Sequence, residues 1–206
     1  MAVDEVGLRA TVAVLRGGGV AIFPTDTVYG VGACPEAEEA LRRIFEAKGR
    51  PVDKPLQLLC ASRAAARRRA AAWPRTVEAL ARRYWPGALT IVLPAGADVP
   101  AQAQREGTVA LRVPGDAVTR RLARACGGCI AATSANRSGG PDPRTADEAR
   151  AQIGDQVDVV LDGGPAAVGT PSTVIQWSAV AGLAVVREGA VPAREVLALA
   201  GALEGR

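Results

Sequence analysis

The 206-residue chain contains no histidine, and that absence excludes more chemistry than any residue present suggests. Ser-His-Asp and Cys-His nucleophilic catalysis are ruled out, as are histidine-bound metal sites. Aromatic residues make up only 3% of the sequence, so a base-stacking nucleic-acid surface has little to build on. No GxxxxGK(S/T) run occurs, which excludes a phosphate-cradling P-loop. Gly30-Val31-Gly32 lacks the third glycine of a dinucleotide fingerprint, and Pro35 sets off the helix that follows. No apolar stretch approaches the roughly 18 residues of a membrane span, and no basic-then-apolar leader opens the chain. A soluble, cytoplasmic protein with no membrane partner is the expectation.

Charge of one sign is also scarce. The 25 Lys and Arg against 21 Asp and Glu leave a formal net charge of +4. That suits an anionic ligand but is too weak to mark a nucleic-acid binder. Cysteines number four, too few for a disulfide framework. Cys126-Gly127-Gly128-Cys129 has redox spacing, yet it follows a helical pattern and precedes a strand, the reverse of a redox motif. A zinc site would need all four cysteines, and Cys34 and Cys60 fall in separate elements. Idle buried thiols and no metal site are expected.

What is present is aliphatic and alternating. Hydrophobic residues make up 49% and charged ones 22%, the balance of a globular chain long enough to bury a sizeable core. Helical spacing covers Leu8, Val12 and Leu15, then residues 36–48, 62–72, 75–85, 116–125 and 145–152, with a last helix from Pro192. Strand-like runs lie at 20–23, 56–60, 89–93, 109–113, 129–133 and 157–161. Residues 173–177 and 183–186 read as a hairpin. This alternation predicts an α/β fold, and with no repeat or linker a single domain over 1–206. Arg63, Arg67, Arg68, Arg69, Arg75, Arg82 and Arg83 read chiefly as a solvated helix surface, with a lesser claim as an RNA-facing patch.

Polar residues interrupt the pattern just after strands end. Thr25 and Thr27 follow one strand, Ser134 and Asn136 another, and Asp162-Gly163-Gly164 a third. In open α/β sheets that edge is where ligands bind. Lys48 continues the apolar stripe of Ile44 and Phe45, a costly place for a cation unless it opens onto a polar cleft. With Arg50 it makes a cationic clamp, and Ser134 with Asn136 makes a neutral one, a combination suited to a nucleotide. Thr108 and Arg112 share one face of a strand and form a plausible anchor for a carboxylate or phosphate, with Arg187 a further candidate cation.

These pieces together resemble the YrdC-type threonylcarbamoyl-AMP synthases over nearly the whole chain. The motifs are PTDTVYGVG at 24–32, KGRPVDKPL at 48–56, YWPGALTIVL at 84–93 and VALRVP at 109–114. AATSANRSG at 131–139, LDGGP at 161–165 and STV at 172–174 complete the series. The resemblance implies a twisted open mixed sheet flanked by helices, with a basic concave cleft. It implies formation of L-threonylcarbamoyl-AMP and pyrophosphate from L-threonine, bicarbonate and ATP, with Mg2+ accompanying ATP. The product would feed threonylcarbamoyladenosine modification of tRNAs reading ANN codons, through a separate transferase.

Carried over by motif, the catalytic tetrad is Lys48, Arg50, Ser134 and Asn136. ATP contacts fall on Arg50, Lys54, Thr108, Ser134, Asn136, Asp142 and Arg187, and threonine contacts on Thr27, Arg112, Ala132 and Ser172. Three positions depart from the family pattern. Leu59 stands where many members carry a His, Pro171 replaces the acid before Ser-Thr-Val, and Glu188 replaces a Pro after the late Arg. The His departure implies that a threonine-side contact is lost or replaced. A further expectation is that the chain lacks the extra C-terminal domain of longer relatives. Two other readings compete: a carbamoyl-adenylate former of the hydrogenase-maturation or O-carbamoyltransferase type, and a non-catalytic RNA-binding module with weak or indirect tRNA contact.

Overall fold

Short aliphatic runs separated by amphipathic segments assemble into one ten-stranded mixed sheet in the computed structural model, which describes residues 1–204. Residues 205 and 206 of the expected domain lie outside the described residues. The strands are β1 (Ala21–Phe23), β2 (Gly30–Ala33), β3 (Gln57–Cys60), β4 (Leu89–Pro94), β5 (Gln104–Arg105), β6 (Thr108–Arg112), β7 (Cys129–Ser134), β8 (Val159–Val160), β9 (Thr173–Ser178) and β10 (Gly182–Arg187). The helices are α1 (Glu5–Arg16), α2 (Glu38–Lys48), α3 (Arg63–Arg68), α4 (Arg75–Tyr84), α5 (Ala117–Ala125), α6 (Ala146–Ile153) and α7 (Ala193–Glu204). Strand order is β10-β9-β4-β6-β3-β7-β2-β1-β8, with β5 beside β6. The β3–β6, β4–β9 and β1–β8 pairs are parallel and the rest antiparallel.

Helix starts follow the capping chemistry of the sequence. Asp4, Ser62, Asp116 and Thr145 each accept a hydrogen bond from a backbone N–H in the first turn of α1, α3, α5 and α6. Such caps contribute about 1 kcal/mol apiece. Helix α2 ends differently. Gly49 adopts φ 57°, its N–H reaches Glu46 O, and the Arg50 N–H reaches Phe45 O. That Schellman turn requires a left-handed residue, which glycine supplies without a Cβ penalty. It leaves Lys48 on the inner side of the helix and swings Arg50 out beyond its end.

The sheet has two unequal faces. On one, Leu41, Ile44 and Phe45 of α2, Val77 and Leu80 of α4, and Ala149 and Ile153 of α6 pack against Val31, Leu58 and Ile91. On the other, α1 and α5 cover only β8, β1, β7 and β3, through Leu8, Leu15, Leu122 and Ala123 against Phe23, Leu59 and Ile130. The second face therefore lacks a helix over β6, β4 and β9. Ala110, Thr90 and Val174 on that stretch line an open cleft instead.

Three sequence expectations change. The helix expected over 62–72 stops at Arg68, and the strand expected over 157–161 shrinks to Val159–Val160. Strand β2 was not anticipated, because Gly-Val-Gly-Ala carries almost no β-propensity. It forms because its glycines let two neighbours close in: a Cβ on Gly32 would sit 2.7 Å from Ala131 O and 3.0 Å from the Ala132 Cβ. Replacing Gly32 with valine is expected to destabilise the fold by roughly 2–3 kcal/mol through overpacking. A urea midpoint equal to that of the parent chain would refute this.

A fourth change concerns the thiols. Cys34, just after β2, is disulfide-bonded to Cys126 at the end of α5, and Cys60 and Cys129 remain free and buried. The idle-thiol expectation fails for Cys34 and Cys126 because 92 residues separate the bonded pair in sequence, while packing of α5 against the sheet brings them together.

Candidate active-site cleft

A cavity of about 230 Å3 opens on the uncovered half of the sheet. Its floor crosses five strands: Val174 of β9, Thr90 of β4, Ala110 and Arg112 of β6, Gln57 of β3, and Ala132 and Ser134 of β7. Its rim is made by Thr27, Arg50, Asp142, Ser172 and Arg187. The expected crevice beyond parallel strand ends is thus displaced onto the face of the sheet. β4 and β6 run antiparallel here, so no common carboxyl edge spans the site, and a missing helix rather than a topological switch makes the hollow. Asp162 and Gly164 lie elsewhere and hold the Tyr29 hydroxyl: it donates to Gly164 O at 2.7 Å and accepts from the Gly163 N–H.

The structure gathers most of the sequence candidates and separates a few. Thr27, Arg50, Arg112, Ala132, Ser134, Asp142, Ser172 and Arg187 all line the cavity. Lys48, Lys54, Thr108 and Asn136 do not. Thr108 shares the face of Arg112 but donates its hydroxyl to Arg105 O at 2.7 Å. Lys54 contributes its carbonyl, which accepts from Arg50 Nε at 2.7 Å, and Pro55 O accepts from Arg50 Nη2 at 3.0 Å. These two bonds aim the Arg50 guanidinium. Burial draws its pKa below the ordinary arginine value, partly opposed by Asp53.

Lys48 is 3% exposed and lies behind the Ser134–Asn136 loop. Its ammonium donates to Ser134 O at 2.6 Å, to Asn136 O, and to Asn136 Oδ1 at 3.1 Å. Ser134 Oγ donates to the same Oδ1 at 2.5 Å, and Asn136 Nδ2 donates to Gly140 O at 2.7 Å. Asn136 is therefore fully used in shaping the loop, and only Ser134 of the neutral clamp faces the cavity. Burial, then the Arg50 charge, pushes the Lys48 pKa down to about 8, with Asp142 pulling the other way.

Arg112 was expected as a free anchor on the polar side of its strand. Instead it is 2% exposed and already ion-paired with Asp26, Nη2 to Oδ1 at 2.6 Å. Its Nη1 donates to Thr27 Oγ1 at 2.8 Å and its Nε to Gly87 O at 2.9 Å. Burial lowers its pKa, and Asp26 restores part of the loss. N–H groups of Nη1 and Nη2 remain over for a ligand. Asp26 was missed because an aspartate after Pro-Thr reads as a turn residue. On the opposite wall Arg187 Nη2 donates to Ser172 O at 2.8 Å.

Gln57 and Thr90 are further lining residues the sequence reading missed. Thr90 Oγ1 approaches Gln57 Oε1 at 3.3 Å and Ser172 Oγ at 2.8 Å, so a polar chain runs across the floor. Strand alternation would have found Gln57, two residues before Leu59 on the same face. Leu59 itself is packed under α5 with Leu122 and does not line the cavity. Pro171 lines the cavity, and Glu188 accepts from the Ala193 N–H at the start of α7.

No group of three or more Cys, Asp or Glu side chains among the described residues is arranged to hold a metal. Among the described residues Asp142 is the single carboxylate lining the cavity. One carboxylate beside a hydroxyl fits a divalent cation arriving with nucleotide phosphates, since Mg2+ ordinarily takes one or two protein oxygens there. Among the described residues no helix is long and apolar enough to cross a membrane.

Comparison with known proteins is consistent with this geometry. The Sua5/YciO/YrdC family model, described as "Telomere recombination", matches residues 13–189. A Pyrococcus abyssi protein named threonylcarbamoyl-AMP synthase is 38% identical over 198 residues, covering 94% of this chain and 57% of the relative. A Bacillus subtilis protein of the same name is 37% identical, over 85% of this chain and 51% of the relative. The chain thus spans about half the length of these two relatives. The structure of P. abyssi Sua5 complexed with L-threonine superposes with a TM-score of 0.90 at 38% identity, covering 95% of this chain and 58% of that one.

Proposed function

The chain belongs to the Sua5/YciO/YrdC family, and from that premise we propose that its cleft makes L-threonylcarbamoyl-AMP and pyrophosphate from L-threonine, bicarbonate and ATP. The observation that carries the reading is one cavity lined by Arg50, Arg112, Arg187, Asp142 and hydroxyl side chains that include Thr27, Ser134 and Ser172. That set matches two ligands: a small zwitterion with a hydroxyl and a polyphosphate. The structure of P. abyssi Sua5 complexed with L-threonine supports an amino acid as one of the two.

In this reading the remaining Arg112 N–H groups take the threonine carboxylate, and Thr27 and Ser172 orient the amino acid. The amine adds to CO2 or bicarbonate, giving a carbamate. A carbamate oxygen then attacks the α-phosphorus in line, and pyrophosphate leaves. The nucleophile comes with the substrate, so the chain needs no histidine base. Its contribution is positioning and charge neutralisation. Arg50 and Arg187 face the phosphates from two walls, and Ser134, held by Asn136 and Lys48, supplies a hydroxyl at the reacting end. Mg2+ brought by ATP would lie toward Asp142 and spread the phosphate charge. The activity is an adenylyl transfer. The adenylate would pass to a separate transferase acting on tRNA, in the cytoplasm.

The test is to incubate the protein with ATP, L-threonine and bicarbonate and to follow pyrophosphate and the adenylate mass. Both are expected only when all three substrates are present. Pyrophosphate release that needs carbamoyl phosphate in place of bicarbonate and threonine would overturn the proposal, as would tight tRNA binding without turnover. Arg50→Ala is expected to lower kcat/KM for ATP by roughly 100-fold, the scale of losing one charged contact to the transferring group.

A further inference from the structure

Two of the four cysteines lie outside the disulfide, and the fold sets them face to face. Cys60 is the last residue of β3 and Cys129 the first of β7, and they are register partners in the antiparallel β3–β7 ladder. The Ala61 N–H donates to Gly128 O at 2.9 Å just beyond them. That bond marks Cys60 and Cys129 as a non-hydrogen-bonded pair, the kind in which opposed Cα atoms are nearest, about 4.5 Å. A spacing of that size falls inside the roughly 4.4–6.8 Å that a disulfide accepts. The two sulfurs are already 3.3 Å apart. Bond formation therefore calls for side-chain rotation alone.

The pair is buried but not sealed. Cys129 lines a second cavity of about 260 Å3, together with Gly127, Ala65, Arg68, Arg69, Glu36 and Asp98. This opening is distinct from the cleft and shares none of its lining residues. We propose that Cys60 and Cys129 form a peroxide-oxidisable dithiol, with Cys129 as the attacking sulfur and Cys60 as the resolving one.

The electrostatics agree with that division. As a thiolate, Cys129 accepts the S–H of Cys60, and Arg69 and Arg68 add positive charge, holding it below the ordinary thiol range against the effect of burial. Burial drives Cys60 well above that range. The thiolate is the nucleophile in such chemistry. Cys129 sulfur attacks one peroxide oxygen, the S–O bond forms, the O–O bond breaks, and the departing hydroxide takes a proton to become water. Cys60 sulfur then attacks Cys129 sulfur, the S–S bond forms, the S–O bond breaks, and a second water leaves with the Cys60 proton. Two thiols lose two electrons and the peroxide gains them.

Peptide mapping of the full chain tests the proposal. Trypsin leaves Cys126 and Cys129 on one peptide, residues 125–137. Before oxidation that peptide is joined only to the one carrying Cys34. After hydrogen peroxide, a three-peptide product that also includes Cys60 is expected, lighter by two hydrogens than the existing linked pair plus the Cys60 peptide. In Cys60→Ser, which keeps a donor to the Cys129 thiolate but blocks resolution, a cyclic 1,3-diketone is expected to trap the sulfenic acid on Cys129. Arg69→Met is expected to slow oxidation by about 10-fold, reflecting the lost positive charge. A Cys126–Cys129 bond, or no linkage to Cys60 in the parent chain, would overturn the proposal. So would an unreactive Cys129 in the Cys60→Ser protein.

Discussion

Replacing Arg112 with methionine is expected to lower stability by about 3–5 kcal/mol and to reduce kcat/KM for threonine by at least roughly 100-fold. The two losses have different origins. Arg112 is 2% exposed and Asp26 15%, with 2.6 Å between them. Removing only the cation leaves a partly buried carboxylate unpaired, and that accounts for the stability loss. Thr27 Oγ1 and Gly87 O also lose their donor. Adding Asp26→Leu removes the stranded charge, so the double variant is expected to recover most of the urea midpoint. It is not expected to recover turnover, because the carboxylate anchor is still missing. A single variant with the parent midpoint would sink the ion-pair argument. A double variant with full activity would sink the role in binding threonine.

The second large effect is expected at Lys48. Lys48→Met removes a buried cation and the hydrogen bonds it donates to Ser134 O, Asn136 O and Asn136 Oδ1, the last of which keeps the Ser134 hydroxyl as a donor. Those contributions oppose one another, so the midpoint at pH 7 is expected to move by less than about 2 kcal/mol. Turnover is expected to fall by roughly 100-fold or more, because the Ser134 hydroxyl loses its support. The pH dependence distinguishes this from simple damage. Burial holds the Lys48 pKa at about 8 against an ordinary 10.5, so the folded chain releases this proton before the unfolded chain does. Between those two values the unfolded state binds more protons. Stability gained through this group accordingly rises with pH from about 8 toward 10.5 and is absent below. The full difference amounts to about 3 kcal/mol. Subtracting the Lys48→Met curve from the parent curve should isolate that rise. A flat difference, or a variant that turns over normally, would refute the assignment.

The parts legible in the sequence were those that local physics decides. The amphipathic stripe of α2, the Gly49 stop, the capping residues and the aliphatic strands all follow from nearest-neighbour pattern. So did several residues of the cleft, since Thr27, Ser134 and Arg187 each follow or end an apolar run, whereas Ser172 came only with the family resemblance. What stayed hidden depends on partners far along the chain. Asp26 and Arg112 meet across 86 residues, and neither side announces the other. Lys48 was legible as a buried cation but not as a support, because its acceptors are mostly backbone carbonyls, which every residue carries. Strand β2 was illegible for the opposite reason: its glycines are there for close approach, which only the packed neighbours reveal. The Cys34–Cys126 bond joins two elements whose proximity is a property of the layered packing.

The half-bare face of the sheet has a kinetic consequence. A cleft whose floor is five hydrogen-bonded strands cannot open by loosening that floor without breaking the ladder of the whole molecule. Its floor amides should be among the slowest to exchange with solvent, while segments around 137–142 and 170–172 open locally. Ligand entry and product escape are then governed by the rim, and affinity by a surface that scarcely moves. Evolution can retune the residence time of the product by altering the rest of these two short loops while Asp142 and Ser172 stay in place.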